Sequence, residues 1–282
     1  MRILLTGATG FIGRNALAVL APNHEVFALV RALPETSPKR VNWIEQDLAR
    51  PLEGLPEEID AVIHLAQSRR YREFPEGSPD LFAVNVESTF RLLEYAREAG
   101  ARSFVQASTG GVYGGGNGPL DEDARLRVLG FYPASKLSAE ALVRGYETAF
   151  TTILLRFFFV YGPGQTGMLI STLIEKVRSG EELTVQGDDG LRINPIHFED
   201  AIAVFEPVLG LERSDVFNVS GEEVVSIRQL IGVIEDVVGR QAVVRTADET
   251  PPEDLIGANK KMKDVLGVTP RISLAEGIRS ML

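Results

Sequence analysis

Through about residue 160, short runs rich in Val, Ile and Leu alternate with longer amphipathic segments, the rhythm of buried parallel strands joined by helices. The pattern predicts strands over Arg2–Thr6, Glu25–Val30, Val41–Ile44, Ala61–Leu65, Ser103–Ala107 and Thr152–Phe158. Helices are predicted over Phe11–Leu20, Pro79–Ala99 and Pro133–Phe150. This alternation builds an α/β fold with a doubly wound parallel sheet, in which ligands bind beyond the C-terminal ends of the strands. Functional side chains are therefore expected just after strands.

Past Tyr161 the texture changes. Gly162-Pro163-Gly164-Gln165 is a loop, Leu169–Arg178 a helix and Asp188-Asp189-Gly190 a turn. Val216–Val219 again reads as a buried strand that the first domain recruits. The expected division is residues 1–161 plus about 193–225 for the first domain and about 162–192 plus 226–282 for a smaller C-terminal substrate-binding lobe. There is no internal repeat or low-complexity segment.

A hydrophobic fraction of 44% and a charged fraction of 24% fit a globular protein, and no segment has the apolar length a bilayer demands. No membrane is expected as a partner. Met1-Arg2-Ile3-Leu4-Leu5 has the flavour of a signal peptide, but Gly7, Gly10 and Gly13 interrupt the run, so it is read as mature protein. The absence of cysteine removes disulfides and thiolate chemistry and fits a cytoplasmic protein. A net charge of −10 opposes nucleic-acid binding, which needs clustered Lys and Arg. The local exception, Arg69-Arg70-Tyr71-Arg72, reads as a solvated charge run or as a face for an anionic ligand. His24, His64 and His197 share no metal-ligand spacing, and no metal is expected.

Gly7-Ala8-Thr9-Gly10-Phe11-Ile12-Gly13 follows the first strand and opens the first helix. Backbone NH groups and the helix dipole there point at an anion, and a dinucleotide pyrophosphate suits the place. The spacing is G-x-x-G-x-x-G rather than G-x-G-x-x-G, but its position between strand and helix gives it meaning within a Rossmann-type domain. At the end of the second strand, Ala28-Leu29-Val30-Arg31 offers no carboxylate for ribose hydroxyls and places Arg31 where a 2′-phosphate would lie. NADP is favoured over NAD on that ground.

Tyr132-Pro133-Ala134-Ser135-Lys136 sets a phenol and an ammonium four residues apart at a helix start, on one face. A phenol of pKa about 10 must lose about three units, or 4 kcal/mol, to act as a base near neutrality, and a neighbouring cation supplies that. Ser108-Thr109 places a hydroxyl at a strand's C-terminal end, where it either bonds the reacting oxygen or caps a turn.

With these residues in view, the chain resembles the extended short-chain dehydrogenase/reductases, also called the NAD-dependent epimerase/dehydratase family. The resemblance runs nearly end to end: Thr6–Gly13, Gln46-Asp47-Leu48, Val62-Ile63-His64-Leu65-Ala66, Asn85-Val86, Ser108-Thr109 with Val112-Tyr113-Gly114, Tyr132–Lys136, Leu155-Arg156, Val160–Pro163, and Leu266-Gly267 with Pro270 and Leu274–Gly277. It implies that Tyr132 is the acid/base, that Lys136 lowers its pKa while holding the nicotinamide ribose, and that Thr109 bonds the substrate oxygen. It further implies a cofactor lined by Gly7, Thr9, Gly10, Phe11, Ile12, Gly13, Asp47, Leu48, Leu65, Ala66, Gln67, Ala107, Ser108, Phe157 and Val160, besides Tyr132, Lys136 and the Arg31 already read from the strand end. The implied substrate is a nucleotide-diphosphate sugar, met by Gln67, Thr109, Phe159 and Arg192, the last on its diphosphate. The resemblance implies a homodimer too, and both long helices carry apolar residues beyond one sheet-facing stripe.

Two departures qualify it. Nucleotide-sugar members usually read Leu-Arg-x-x-Asn-Val-Tyr-Gly-Pro, whereas Phe159 here replaces the amide that commonly touches the diphosphate. Gly110-Gly111 stands where dehydratases carry Asp-Glu, which disfavours dehydration. Hydrolase elbows and P-loops are absent. A 4-ketoreductase, a 4-epimerase with tightly bound NAD, and a non-catalytic dinucleotide sensor or scaffold stay open, although binding alone needs no Thr109, Tyr132 and Lys136.

Overall fold

A computed structural model describes residues 1–34, 40–248 and 253–282. Its central feature is a seven-stranded sheet formed by β1 (Arg2–Thr6), β2 (Glu25–Val30), β3 (Val41–Glu45), β4 (Ala61–His64), β5 (Ser103–Thr109), β6 (Thr151–Phe157) and β7 (Asp215–Val219). The strand order is β7-β6-β5-β4-β1-β2-β3, with parallel pairings from β3 through to β5. The order reverses between β1 and β4, which makes their C-terminal ends the crevice where doubly wound sheets bind ligands. Every strand expected from the pattern is present within two residues at each end, and the late strand joins the sheet edge beside β6.

Helices α1 (Phe11–Leu20), α3 (Ser88–Glu98) and α4 (Phe131–Arg144) cover the sheet. Leu92, Leu93 and Val143 meet Leu4, Val62, Phe104 and Leu154 in one buried cluster. Each such side chain contributes about 1.5–3 kcal/mol by leaving water. The helix expected over 79–99 is interrupted: α2 (Ser78–Phe82) passes through a π-helical turn, Ala83–Glu87, before α3 begins. The helix expected to reach Phe150 stops at Arg144, since Gly145 follows and the chain turns through Tyr146 and Glu147.

The chain divides into two compact units, 1–112 with 128–156 and 202–217, and 113–127 with 157–201 and 218–282. Compared with the division expected from sequence, 113–127, 157–161, 193–201 and 218–225 pass to the second unit. Local bonding there accounts for part of this: Asn218 takes its bonds from Tyr113 and gives them to the carbonyls of Leu120 and Ala258. The second unit has its own core, in which α5 (Leu169–Ser179), α6 (Ile227–Val238) and α7 (Leu274–Arg279) contribute Leu173, Ile174, Leu230, Ile231 and Ile278. Capping boxes at Ser226 and Ser273 start α6 and α7. Among the described residues, no helix is long and apolar enough to cross a membrane.

Candidate active site

The glycine turn is shaped by close approach. Gly7 has φ 71°, and a Cβ there would fall 2.7 Å from Ala66 N. A Cβ at Gly13 would fall 2.1 Å from the Gly7 carbonyl oxygen. Glycine is required at both positions: at Gly7 by the positive φ and the approach of the Leu65–Ala66 backbone, and at Gly13 because the first helical turn is drawn against the end of β1. No side chain caps α1 and no acid lies in its first turn. Beneath the turn, the Ala66 amide donates to Thr6 Oγ1, and Thr6 Oγ1 lies 2.6 Å from His64 Nδ1. Burial and the nearby Lys136 charge push His64 down to about 3, so it stays neutral and serves the scaffold. The cradle that a Cβ would fill, at a helix N-terminus with no side-chain cap and no acid in its first turn, fits a dinucleotide pyrophosphate.

Gly10 is different from its neighbours: a Cβ there meets only the Gly7 carbonyl, at 3.1 Å. Gly10→Glu is therefore expected to keep the fold while setting a carboxylate where the pyrophosphate belongs. Calorimetry should show dinucleotide affinity falling by about 100-fold or more, about 2.7 kcal/mol. Unchanged affinity would place the dinucleotide elsewhere.

The other expected cofactor positions divide. Ala107 and Ser108 are buried at the end of β5, and Leu65, Ala66 and Gln67 follow β4. Asp47 caps its own turn through the Ala49 amide, and Leu48 is buried with its carbonyl held by Arg91. Arg31 is exposed just beyond β2. Thr9, Phe11 and Ile12 lie on the glycine turn itself. Phe157 and Val160 belong to the second unit.

Thr109 ends β5, and its Oγ1 accepts a 3.1 Å bond from the Gly111 amide. A Cβ at Gly111 would lie 3.4 Å from Thr109 Oγ1 and 3.6 Å from Pro133 Cγ, so the Thr109 hydroxyl sits near the start of α4. Gly130, with φ 101°, turns the chain into that helix. Tyr132 and Lys136 follow on one face. The Tyr132 phenol donates to Gln67 Oε1 at 2.9 Å, and its ring lies 5.3 Å from that of Tyr71. Burial, with Tyr71 adding to it, pushes the phenol above its ordinary range. Lys136 is 2% exposed and donates to the Ala107 carbonyl at 3.1 Å. Burial lowers it to about 8, against the opposing pull of Glu140.

Three functional neighbours went unassigned from sequence. Asn85, in the π turn, accepts from the Ser68 amide and donates to Ser135, each at 2.9 Å, and so ties the loop after β4 to α4. Such turns commonly mark functional sites. Glu140 and Arg156, each 1% exposed, form a buried bidentate pair to which Ser108 also donates. Glu140 lies four residues past Lys136, a spacing that marks a shared helix face.

In the second unit, the Arg192 guanidinium is committed to Asp254 through Nε at 2.8 Å and Nη2 at 2.6 Å. Phe159 has φ 45° and packs on the second core. A left-handed Phe costs about 1–2 kcal/mol, whereas asparagine tolerates that conformation. This gives a backbone reason for the asparagine usual in the family.

A Gly-rich turn at the switch point of a doubly wound sheet, with Thr109, Tyr132 and Lys136 gathered at the neighbouring strand ends, defines a dinucleotide-dependent enzyme of the short-chain dehydrogenase/reductase class. A sequence profile of the NAD dependent epimerase/dehydratase family matches residues 3–220, and the chain belongs to that family. It is 31% identical to an uncharacterized UDP-glucose epimerase, YtcB, of Bacillus subtilis, over 99% of this chain and 96% of that protein. It is 29% identical to a dTDP-4-dehydro-6-deoxy-D-allose reductase of a Streptomyces species, over 93% and 88% of the two chains. Among solved structures, the UDP-glucuronic acid 4-epimerase of Bacillus cereus with UDP-glucuronic acid and NAD superposes with a TM-score of 0.86 at 26% identity, covering 99% of this chain and 97% of that one. MoeE5 with UDP-glucuronic acid and NAD gives 0.86 at 29%, covering 100% and 97%.

Proposed function

We propose that this enzyme oxidises the C4 carbinol, or reduces the C4 ketone, of a nucleotide-diphosphate sugar, with Tyr132 as the acid/base. The observation that carries the reading is the convergence of the Tyr132 phenol, the buried Lys136 ammonium and the Thr109 hydroxyl at the strand ends beside the glycine cradle. When bound, the nicotinamide supplies hydride acceptance and donation. Tyr132 takes the proton of the sugar hydroxyl as the carbon is oxidised and returns it on reduction. Thr109 holds the same oxygen, and Lys136 keeps a positive charge one helical turn from the phenol. The dTDP-4-dehydro-6-deoxy-D-allose reductase and the UDP-glucuronic acid 4-epimerase, both similar to this chain, support the substrate class.

Net reduction and epimerisation use this same trio and differ in whether oxidised cofactor leaves. The assay offers UDP-glucose, UDP-glucuronic acid and a dTDP-4-keto sugar with each cofactor. Epimer formed without net cofactor change marks an epimerase, stoichiometric oxidation of reduced cofactor marks a ketoreductase, and no conversion of any of them rejects the proposal.

Arg31, exposed beyond a strand end that lacks a carboxylate, supports NADP(H), whereas the solved relatives hold NAD. NADP(H) is expected to bind about tenfold tighter, the worth of one charge-assisted bond, and Arg31→Ala should erase that difference. Equal dissociation constants for the two cofactors in the native chain remove the arginine from cofactor choice. Phe82 and Phe90, 54% and 47% exposed on the α2–α3 segment, support a homodimer, which light scattering at micromolar concentration tests against the 30.8 kDa of one chain. A cysteine-free chain of net charge −10 suits the cytoplasm.

A further inference from the structure

The residue bonded to the Tyr132 phenol is an amide, and that chemistry has a consequence. An acid/base must be held both as OH and as O⁻. A carboxylate beside it accepts only, and an ammonium donates only. A glutamine side chain presents an acceptor oxygen and an NH₂ donor on one planar end, and a half-turn about its last torsion exchanges them.

Gln67 is held where such an exchange serves Tyr132. The loop that follows β4 is fastened to the start of α4 at several points. Asn85 bridges the Ser68 amide to Ser135. The Tyr71 ring lies 5.3 Å from Tyr132, and the Phe74 ring lies 5.8 Å from Phe131. Ser68 Oγ donates to Asp80 at the beginning of the helical segment. The Gln67 side chain is itself exposed, which leaves its amide room to turn.

We propose that Gln67 is a positioning residue for the reaction, accepting from the Tyr132 phenol through Oε1 and donating to the phenolate through Nε2 after the amide turns. The role differs from lining the cofactor, and it rests on Tyr132 being the acid/base. The titratable group acting on the phenol is Tyr71 from the same loop, whose ring carries the Arg72 guanidinium 5.2 Å from its centroid, and Lys136 follows one helical turn along α4. Behind Lys136 lie His64 on β4 and Glu140 on α4.

The test compares native enzyme with Gln67→Glu and Gln67→Met, all loaded with nicotinamide cofactor. Ultraviolet titration of each against its own Tyr132→Phe version isolates the ionisation of this one phenol without turnover. Gln67→Glu, which cannot donate and adds a negative charge, is expected to move that ionisation up by about one unit or more. Gln67→Met should move it up by less. On a proven substrate, kcat near neutrality should fall about tenfold in Gln67→Glu with KM nearly unchanged, as for a group that acts on the transition state alone. A Gln67→Glu titration that overlays the native one, or an effect confined to KM, overturns the assignment. If Tyr132→Phe retains near-native turnover, the acid/base reading falls and takes this inference with it. An inactive Tyr132→Phe beside an unshifted Gln67→Glu overturns the inference alone.

Discussion

Tyr132→Phe is expected to fold, bind its dinucleotide and lose about 10² to 10⁴ in turnover, the usual contribution of a positioned acid/base. The ring stays packed against Tyr71, and the substitution removes one hydroxyl whose bond runs to an exposed amide. The stability cost is then about 0.5–1.5 kcal/mol, within reach of an ordinary hydrogen-bond loss. The catalytic cost is larger because the phenol starts far from its working state. Burial, with Tyr71 adding to it, holds it above its ordinary value, so it needs more than about 4 kcal/mol of help to ionise near pH 7. Lys136, lowered only to about 8, is still charged there, and on the proposed reading it is the group that supplies part of that help. Lys136→Met should therefore slow turnover and weaken cofactor binding together, while Thr109→Val, which removes one hydrogen bond and no proton carrier, should cost less. Single-turnover rates on a converted sugar decide the order. Near-native turnover in Tyr132→Phe would show the trio to be structural.

Local signals make most of the candidate site legible. The glycine turn announces itself because a tight strand-to-helix reversal puts Gly7 at positive φ and Gly13 against the Gly7 carbonyl, both local demands, although the approach of Ala66 to Gly7 is a distant one. Tyr132 and Lys136 are readable because helical spacing fixes their common face. What stayed hidden depends on partners distant in sequence. The π turn at 83–87 coincides with Asn85 reaching residues 17 and 50 positions away, and apolar periodicity alone reads straight through it. The commitment of Arg192 to Asp254 spans 62 positions, so its guanidinium read as available. The left-handed backbone of Phe159 contradicts local preference, and such conflicts gather at functional or strained sites. Glu140 was within reach, since its spacing from Lys136 was in plain view, but its partner Arg156 lies on another element.

That pair carries the other large effect. Arg156→Met is expected to destabilise the enzyme by about 3–5 kcal/mol, because it strands the Glu140 carboxylate inside the protein. Against a total stability of about 5–15 kcal/mol, that loss is visible directly in urea unfolding. Glu140→Leu combined with Arg156→Met should recover most of it, since two apolar side chains of similar volume replace both charges at once. Recovery of stability should not restore function. Ser108 loses its acceptor, and Lys136 loses the carboxylate that favours its charged form. With only burial acting on it, the lysine titrates lower than about 8, and the alkaline limb of the turnover profile moves toward neutral pH in the double variant. The two measurements separate the roles. A single variant that loses under about 1 kcal/mol would mean that water reaches the pair, in the range of exposed ion pairs. A double variant with native stability and an unmoved alkaline limb would leave Glu140 and Arg156 as packing alone.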